Sequence, residues 1–163
     1  MYVSRDSTVI KNTDLTLTGL LFTNNSAFGT GDTNSGGHGG AVFMNGINIV
    51  LSFCTFDSNS ASSDGSFTEY PSAGGALYLS EVSTTTVHQC NFFQNSVDGG
   101  RAGAIFATDS AVLKMKNTTL RMNFVTSSYN FKSHGGAIGI AQRGMGMCSF
   151  IFTTIVTHSS AHS

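Results

Sequence analysis

Two short phrases return in alternation along this chain, and a recurrence of that kind restricts the fold more tightly than any composition can. Gly39-Gly40-Ala41-Val42 leads to Phe56-Asp57-Ser58-Asn59, and Gly74-Gly75-Ala76-Leu77 leads to Phe92-Phe93-Gln94-Asn95. Ala102-Gly103-Ala104-Ile105 then leads to Leu120-Arg121-Met122-Asn123, and Gly135-Gly136-Ala137-Ile138 to Ile155-Val156-Thr157-His158. An earlier copy of the second phrase, Phe22 to Asn25, opens the series. Aligned on their last residue, Asn25, Asn59, Asn95, Asn123 and His158 form one column, at intervals of 34, 36, 28 and 35 residues. That is the period of a solenoid.

Reading backward from this column, the third position holds Phe22, Phe56, Phe92, Leu120 and Ile155, and the eighth holds Leu17, Leu51, Val87, Met115 and Phe150. The tenth holds Leu15, Ile49, Thr85, Leu113 and Cys148, while the seventh and ninth are mainly Thr, Ser, Lys and His. Alternation with a period of two marks half-buried strands. Strands that recur about every thirty residues with no helical pattern between them fit the coils of a parallel β-helix, each rung about 4.8 Å above the last. The expected fold is therefore all-β, a single domain over residues 1–163, with four to five coils at about 1–38, 39–73, 74–101, 102–134 and 135–163.

Within a coil the phrases have distinct tasks. The Asn column reads as a structural corner ladder, because Asn tolerates unusual backbone angles and its amide can bond to the Asn above and below. Gly39, Gly40, Gly74, Gly75, Gly103, Gly135 and Gly136 read as turn glycines that supply positive φ at the entry to the next strand. Just after them, Val42, Leu77, Ile105 and Ile138 alternate with Phe43, Tyr78, Phe106 and Gly139. With the first set inward, Phe43, Tyr78 and Phe106 form an external aromatic file, a candidate contact strip. Segments 26–38, 60–73, 96–101 and 124–134, rich in Gly, Ser and Asp, read as loops leaving one edge.

Composition closes several functional classes. Lys+Arg 8 against Asp+Glu 9, with 10% charged residues, provides no basic surface for nucleic acid. The apolar runs are too short to span a bilayer as a helix. The opening Met1-Tyr2-Val3-Ser4-Arg5-Asp6 lacks the form of a secretory signal, which leaves a cytoplasmic chain, a mature product or a fragment. Two sequons, at Asn24 and Asn117, point to an extracellular setting as candidate N-glycosylation sites. Asn117 lies six residues before the corner Asn, in a column with Gly19, Phe53, Gln89 and Phe152 that is expected to face outward. Phe53 and Phe152 join the candidate contact residues on that ground.

The two phrases resemble the paired Gly-Gly-Ala-[Ile/Leu/Val] and Phe-x-x-Asn motifs of the chlamydial polymorphic outer membrane protein repeat. Residues 39–42, 74–77 and 135–138 match the first motif and Phe22–Asn25, Phe56–Asn59 and Phe92–Asn95 the second. Ala102, Leu120 and the Ile155–His158 quartet depart from it. The resemblance implies a right-handed parallel β-helix of the pectin-lyase-like type, displayed at a cell surface, usually for adhesion.

An enzymatic alternative rests on Asn12-Thr13-Asp14 and Gly37-His38-Gly39, which resemble two of the four motifs of polygalacturonases. Glycoside hydrolysis needs two carboxyl groups, and neither an Asp-Asp pair nor an Arg-Ile-Lys completes the set. His38 also has a repeat partner in His134, which favours a structural role. Cys54 and Cys90 share one column, five before the Asn, and read as stacked buried thiols; Cys148 reads likewise. Asp32, Asp64 and Asp98 lack calcium-site spacing and the five histidines lack zinc spacing.

The function expected from the sequence is a non-enzymatic extracellular structural protein without cofactors. Open strand edges at uncapped ends would pair end to end into a surface filament. The alternatives are an adhesin segment that binds glycan or a cell-surface receptor, and a polysaccharide-degrading enzyme.

Overall fold

In a computed structural model the chain is a right-handed parallel β-helix with no cis peptide bond among the described residues. The structure describes residues 2–4, 14–29, 36–64, 72–81, 84–109, 111–126, 135–141, 149–157 and 160–161, with the backbone alone at 2–4, 149–157 and 160–161. Its first coil contains β1 (Tyr2–Ser4), β2 (Asp14–Thr18), β3 (Leu21–Thr23) and β4 (Ser26–Gly29). The second contains β5 (Val42–Asn45), β6 (Asn48–Ser52), β7 (Thr55–Asp57) and β8 (Ser60–Ser63). The third contains β9 (Ser72–Ala73), β10 (Leu77–Ser80), β11 (Thr84–His88), β12 (Asn91–Phe93) and β13 (Ser96–Asp98). The fourth contains β14 (Gly100–Arg101), β15 (Ile105–Thr108), β16 (Val112–Arg121) and β17 (Phe124–Thr126), and the fifth β18 (Ile138–Ala141), β19 (Ser149–Thr157) and β20 (Ser160–Ala161).

Every pairing is parallel and joins equivalent strands of neighbouring coils. The first sheet runs β1-β5-β10-β15-β18, and another runs β4-β8-β13-β17-β20. Between them lies a bent sheet of β2, β6, β11, β16 and β19 with β3, β7 and β12, where β16 spans both halves of the bend. Strands β9 and β14 add a two-stranded outer sheet. The third face is one the sequence reading missed: residues 26–29, 60–63, 96–98 and 124–126 are strands rather than loops. Their signal is a small inward column of Ala27, Ala61, Val97 and Val125, the last three fully buried.

The core is built by stacking like on like. Phe22, Phe56 and Phe92 stack with ring centroids 4.7 and 4.6 Å apart and planes within 6° and 2°, a separation that matches the strand spacing. Phe56 and Phe92 are 0% and 1% exposed, and burial of a side chain of that size contributes about 1.5–3 kcal/mol. Leu120 continues the column, fully buried. Around it, Leu51, Val87 and Met115 pair in register, as do Ile49, Thr85 and Leu113.

The last coil departs from the sequence alignment. β19 pairs Phe150 with Leu113, Phe152 with Met115 and Val156 with Leu120, with a register shift between Lys116 and Thr118. Asn117 is the extra residue of that bulge. The equivalent columns therefore take Phe150, Phe152 and Val156 in place of Cys148, Phe150 and Ile155. His158, His134, Asp32 and Cys148 lie outside the described residues.

Candidate functional site

Single left-handed residues turn the corners of each coil. After the first sheet come Gly46, Glu81 and Asp109 at φ 69°, 60° and 55°. At the bend of the middle sheet come Gly19, Phe53, Gln89 and Asn117 at 66°, 54°, 51° and 51°. Before the third sheet come Asn24, Ser58, Gln94 and Met122 at 52°, 55°, 52° and 54°. The first residue of the Gly-Gly-Ala phrase makes the last corner, with Gly39, Gly74, Ala102 and Gly135 at 62°, 64°, 61° and 68°. Left-handed geometry costs a residue with a Cβ about 1–2 kcal/mol, so non-glycine corners need compensation.

The Asn ladder provides it, with a correction to the expected mechanism. Asn25, Asn59, Asn95 and Asn123 do not themselves carry the unusual angle; the residue before each does. The Oδ1 of Asn95 accepts the backbone N–H of Asn59 at 3.0 Å and its Nδ2–H at 2.9 Å. The Nδ2 of Asn95 donates to Asn123 Oδ1 and to the Phe56 carbonyl, both at 2.9 Å. Asn59 repeats this set with Asn25 and the Phe22 carbonyl. A buried amide with all four bonds filled replaces the backbone ladder just where the chain turns. Asn59, Asn95 and Asn123 are 0% exposed.

The two glycines of each Gly-Gly pair act differently. Gly39, Gly74 and Gly135 supply positive φ. At Gly40 a Cβ would lie 2.2 Å from the Gly75 carbonyl oxygen and 2.3 Å from that of Ser60; Gly75 and Gly103 are equally crowded by backbone. The second glycine is thus needed for close approach, where the third sheet meets the first. Gly136 accepts the Gly103 N–H at 3.0 Å in the same series.

The aromatic file stands in the expected register, with Phe43 paired to Tyr78 and Tyr78 to Phe106. Phe43 and Tyr78 stack at 5.1 Å, and Tyr78 meets Phe106 at 5.5 Å. It is not an open strip. Phe106 is only 4% exposed, packed with Ala73 and Ala102, and His38 lies against Tyr78 at 4.5 Å. The outer sheet covers what the sequence placed in solvent, leaving Phe43 and Tyr78 half-buried. Phe152 is also corrected: it takes the register position opposite buried Met115, not the corner position. Phe53 does face solvent, 57% exposed.

Cys54 and Cys90 are buried free thiols. Each donates back across the bend to the carbonyl two residues earlier, Cys54 to Ser52 and Cys90 to His88, both at 3.4 Å. Thr118 does the same to Lys116 at 3.1 Å. The column was read as apolar, but its side chains also close the left-handed corner. Burial pushes the Cys90 thiol up to about 11, which keeps it protonated and unreactive at neutral pH.

The two sequon residues Asn24 and Asn117 sit on exposed corners. Of the two enzyme motifs, Asn12 and Thr13 lie outside the described residues; Asp14 opens the middle sheet, accepting Asn48 Nδ2 at 3.1 Å, while His38 bridges to Ala73 outside the first sheet. Asp98 accepts the Thr126 hydroxyl at 2.9 Å. Among the described residues no group of three or more His, Cys, Asp or Glu could hold a metal ion, and no helix is long and apolar enough to cross a membrane.

The first coil presents the other candidate surface. Leu15, Leu17 and Phe22 are half-buried, whereas Ile49, Leu51 and Phe56 above them are 0–1% exposed. Leu20, in the inward column of Cys54 and Cys90, is 41% exposed. Asn25 donates upward to Asn59, so its Oδ1 faces the end of the stack as the next acceptor of the ladder. No protein-family model matches the chain, and no curated protein or solved structure matches it.

Proposed function

We propose that this parallel β-helix is a non-enzymatic structural protein of the cell surface or extracellular space, and that it stacks end to end through its first coil. The observation that carries this reading is the half-covered end of the core at Leu15, Leu17, Leu20 and Phe22, topped by the outward-facing Asn25 amide. A further rung placed there would bury those side chains and extend three sheets at once. The resemblance of the repeated phrases to the chlamydial polymorphic outer membrane protein repeat supports surface display.

Electron microscopy and sedimentation of the purified chain test it. The expected result is fibres with an axial repeat of about 20–24 Å, the height of four or five rungs, lost in Leu17→Lys while circular dichroism keeps the β signal. A wild-type chain that stays monomeric at high concentration overturns it. The same surface favours a second reading, a segment of a larger adhesin, since any Asn-bearing coil set against Asn25 would continue the ladder.

A further inference from the structure

Phe53 is the only bulky aromatic among the described left-handed corner residues, and it is spent on solvent. Its φ of 54° is a conformation large side chains avoid, and it stays 57% exposed. Gly19, Gln89 and Asn117 make the same corner in the other coils, so the turn does not require an aromatic ring. A disfavoured residue that adds little to the core directs attention to what it could contact.

A file of cations lies two rungs away, with His88 on the rung between. His88 meets the Phe53 ring edge-on at 6.0 Å and is the strand partner of Lys116. Lys114 and Lys116 project from the same face of β16, about 6.7 Å apart by strand rise, and Arg121 follows beyond the bend; all three are exposed. Three of the chain's 8 Lys and Arg residues thus lie on one strand of a protein with net charge −1. Among the described residues none of their strand partners is a carboxylate: Lys114 pairs with Thr86 and Ile151, Lys116 with His88 and Thr153, and Arg121 with Phe93 and Thr157. Asp57, in the Arg121 column, is two rungs away.

We infer that this ridge binds an acidic polysaccharide, with Phe53 stacked on a sugar ring and Lys114, Lys116 and Arg121 facing its carboxylate or sulfate groups. Charge complementarity selects an anion. The exposed Gln89, Asn91 and Asn117 between the ring and the cations offer hydrogen bonds to hydroxyl groups, which suits a sugar chain better than a lipid surface. Scattered lysines that merely keep strands soluble would not be gathered on one strand two rungs, about 9.6 Å, from a strained aromatic, a span of about two sugar units. The inference stands apart from end-to-end stacking, since the ridge lies on the side of the helix.

The test is binding of the intact chain, made without N-glycosylation so that Asn117 is bare, to heparin and polygalacturonate at low and high salt. Dextran and phosphatidylserine vesicles serve as comparisons. Lys114→Thr/Lys116→Thr introduces residues that other coils accept there: the first position holds Thr16, Val50, Thr86 and Ile151, the second Thr18, Ser52, His88 and Thr153. The expected outcome is salt-sensitive binding to at least one acidic polysaccharide and none to dextran. The double variant should weaken it by roughly tenfold or more. Phe53→Gly should weaken binding several-fold while raising the melting temperature, a combination that a purely structural role for Phe53 would not produce. Absence of binding by the wild type overturns the inference, as does binding unchanged in the double variant. Preferential binding to vesicles that ignores Phe53→Gly assigns the ridge to a lipid surface and overturns it equally.

Discussion

Replacing Asn95 by Leu tests the corner ladder where it is fully enclosed. The substitution removes four hydrogen bonds of 2.9–3.0 Å, two accepted by Oδ1 and two donated by Nδ2. It strands the Asn59 N–H, one Asn59 Nδ2 hydrogen and the Phe56 carbonyl; Asn123 Oδ1 still receives the Asn95 N–H at 3.0 Å. Three stranded buried groups at about 1–3 kcal/mol each give a loss centred near 6 kcal/mol. Leucine's own burial returns about 2 kcal/mol, leaving a net loss of about 4 kcal/mol. Against a total stability of about 5–15 kcal/mol, that is a large fraction or all of it. Asn25→Leu is the internal control. Asn25 is exposed, and its side chain makes one ladder bond, to Asn59 Oδ1 at 2.9 Å, so the cost should stay below about 1 kcal/mol. Urea unfolding with linear extrapolation reads both values. Equal losses for the two variants, or a loss under about 1 kcal/mol at Asn95, would refute the network account and reduce the column to ordinary turn formers.

Thr85 occupies an inward column between Ile49 and Leu113, with its Oγ1 buried and unbonded, so Thr85→Val should stabilise by about 1 kcal/mol in the same assay. The two glycine roles separate by substitution: Gly75→Ala drives a Cβ to 2.2 Å from the Gly103 carbonyl oxygen and should prevent folding or cost more than about 3 kcal/mol, whereas Ala102→Gly relieves a left-handed Ala and should change stability by less than about 1 kcal/mol. Cys90 predicts an alkaline limb in the stability curve. Its folded thiol, pushed up to about 11, holds its proton where the unfolded thiol has lost it, so stability is full below about pH 9 and falls as pH rises through 11. Cys90→Ser should flatten that limb, and Cys90 in the native wild type should resist thiol reagents at pH 8.

The period, the inward columns and the parallel stacking were legible in the sequence because each depends on residue type alone. Phe22, Phe56 and Phe92 recur at one offset from the Asn, and apolar residues at an even spacing can only share a face. What was not legible depends on the path of the backbone. The strands of the third face were hidden because their inward positions are Ala27, Ala61, Val97 and Val125, too small and too few to show alternation amid Ser and Thr. The aromatic file was read in the right column, but its cover comes from Ala73 and Ala102, brought over Phe106 by a segment whose composition says nothing of direction. The last coil went out of step for two reasons: Phe124 pairs with Ser160, one residue later than a corner at His158 requires, and β16 takes one extra residue at Asn117 that β19 lacks, which no periodic count detects.

The division between columns also says where function can reside. Inward positions are committed to stacking, and the corner residues that turn the coil are compensated by side-chain bonds: the Asn amides to neighbouring coils at one corner, the Cys54, Cys90 and Thr118 side chains to their own coil at another. Outward positions carry no such duty, and there the coils differ. The position of Lys116 is Thr18, Ser52, His88 and Thr153 in the other coils, and that of Asn117 is Gly19, Phe53 and Gln89 in the first three. A repeat that holds its interior constant while its bend varies from glycine to phenylalanine leaves the bend free to be shaped by contact with something outside the molecule. The first coil is the other such place, because Leu15, Leu17 and Phe22 repeat an interior pattern yet stay half-buried, and Asn25 is exposed. The proposed recognition on the side and the proposed extension at the end use separate residues of one scaffold, so a change at Phe53 should leave assembly as it is in the wild type, just as a change at Leu17 should leave polysaccharide binding as it is.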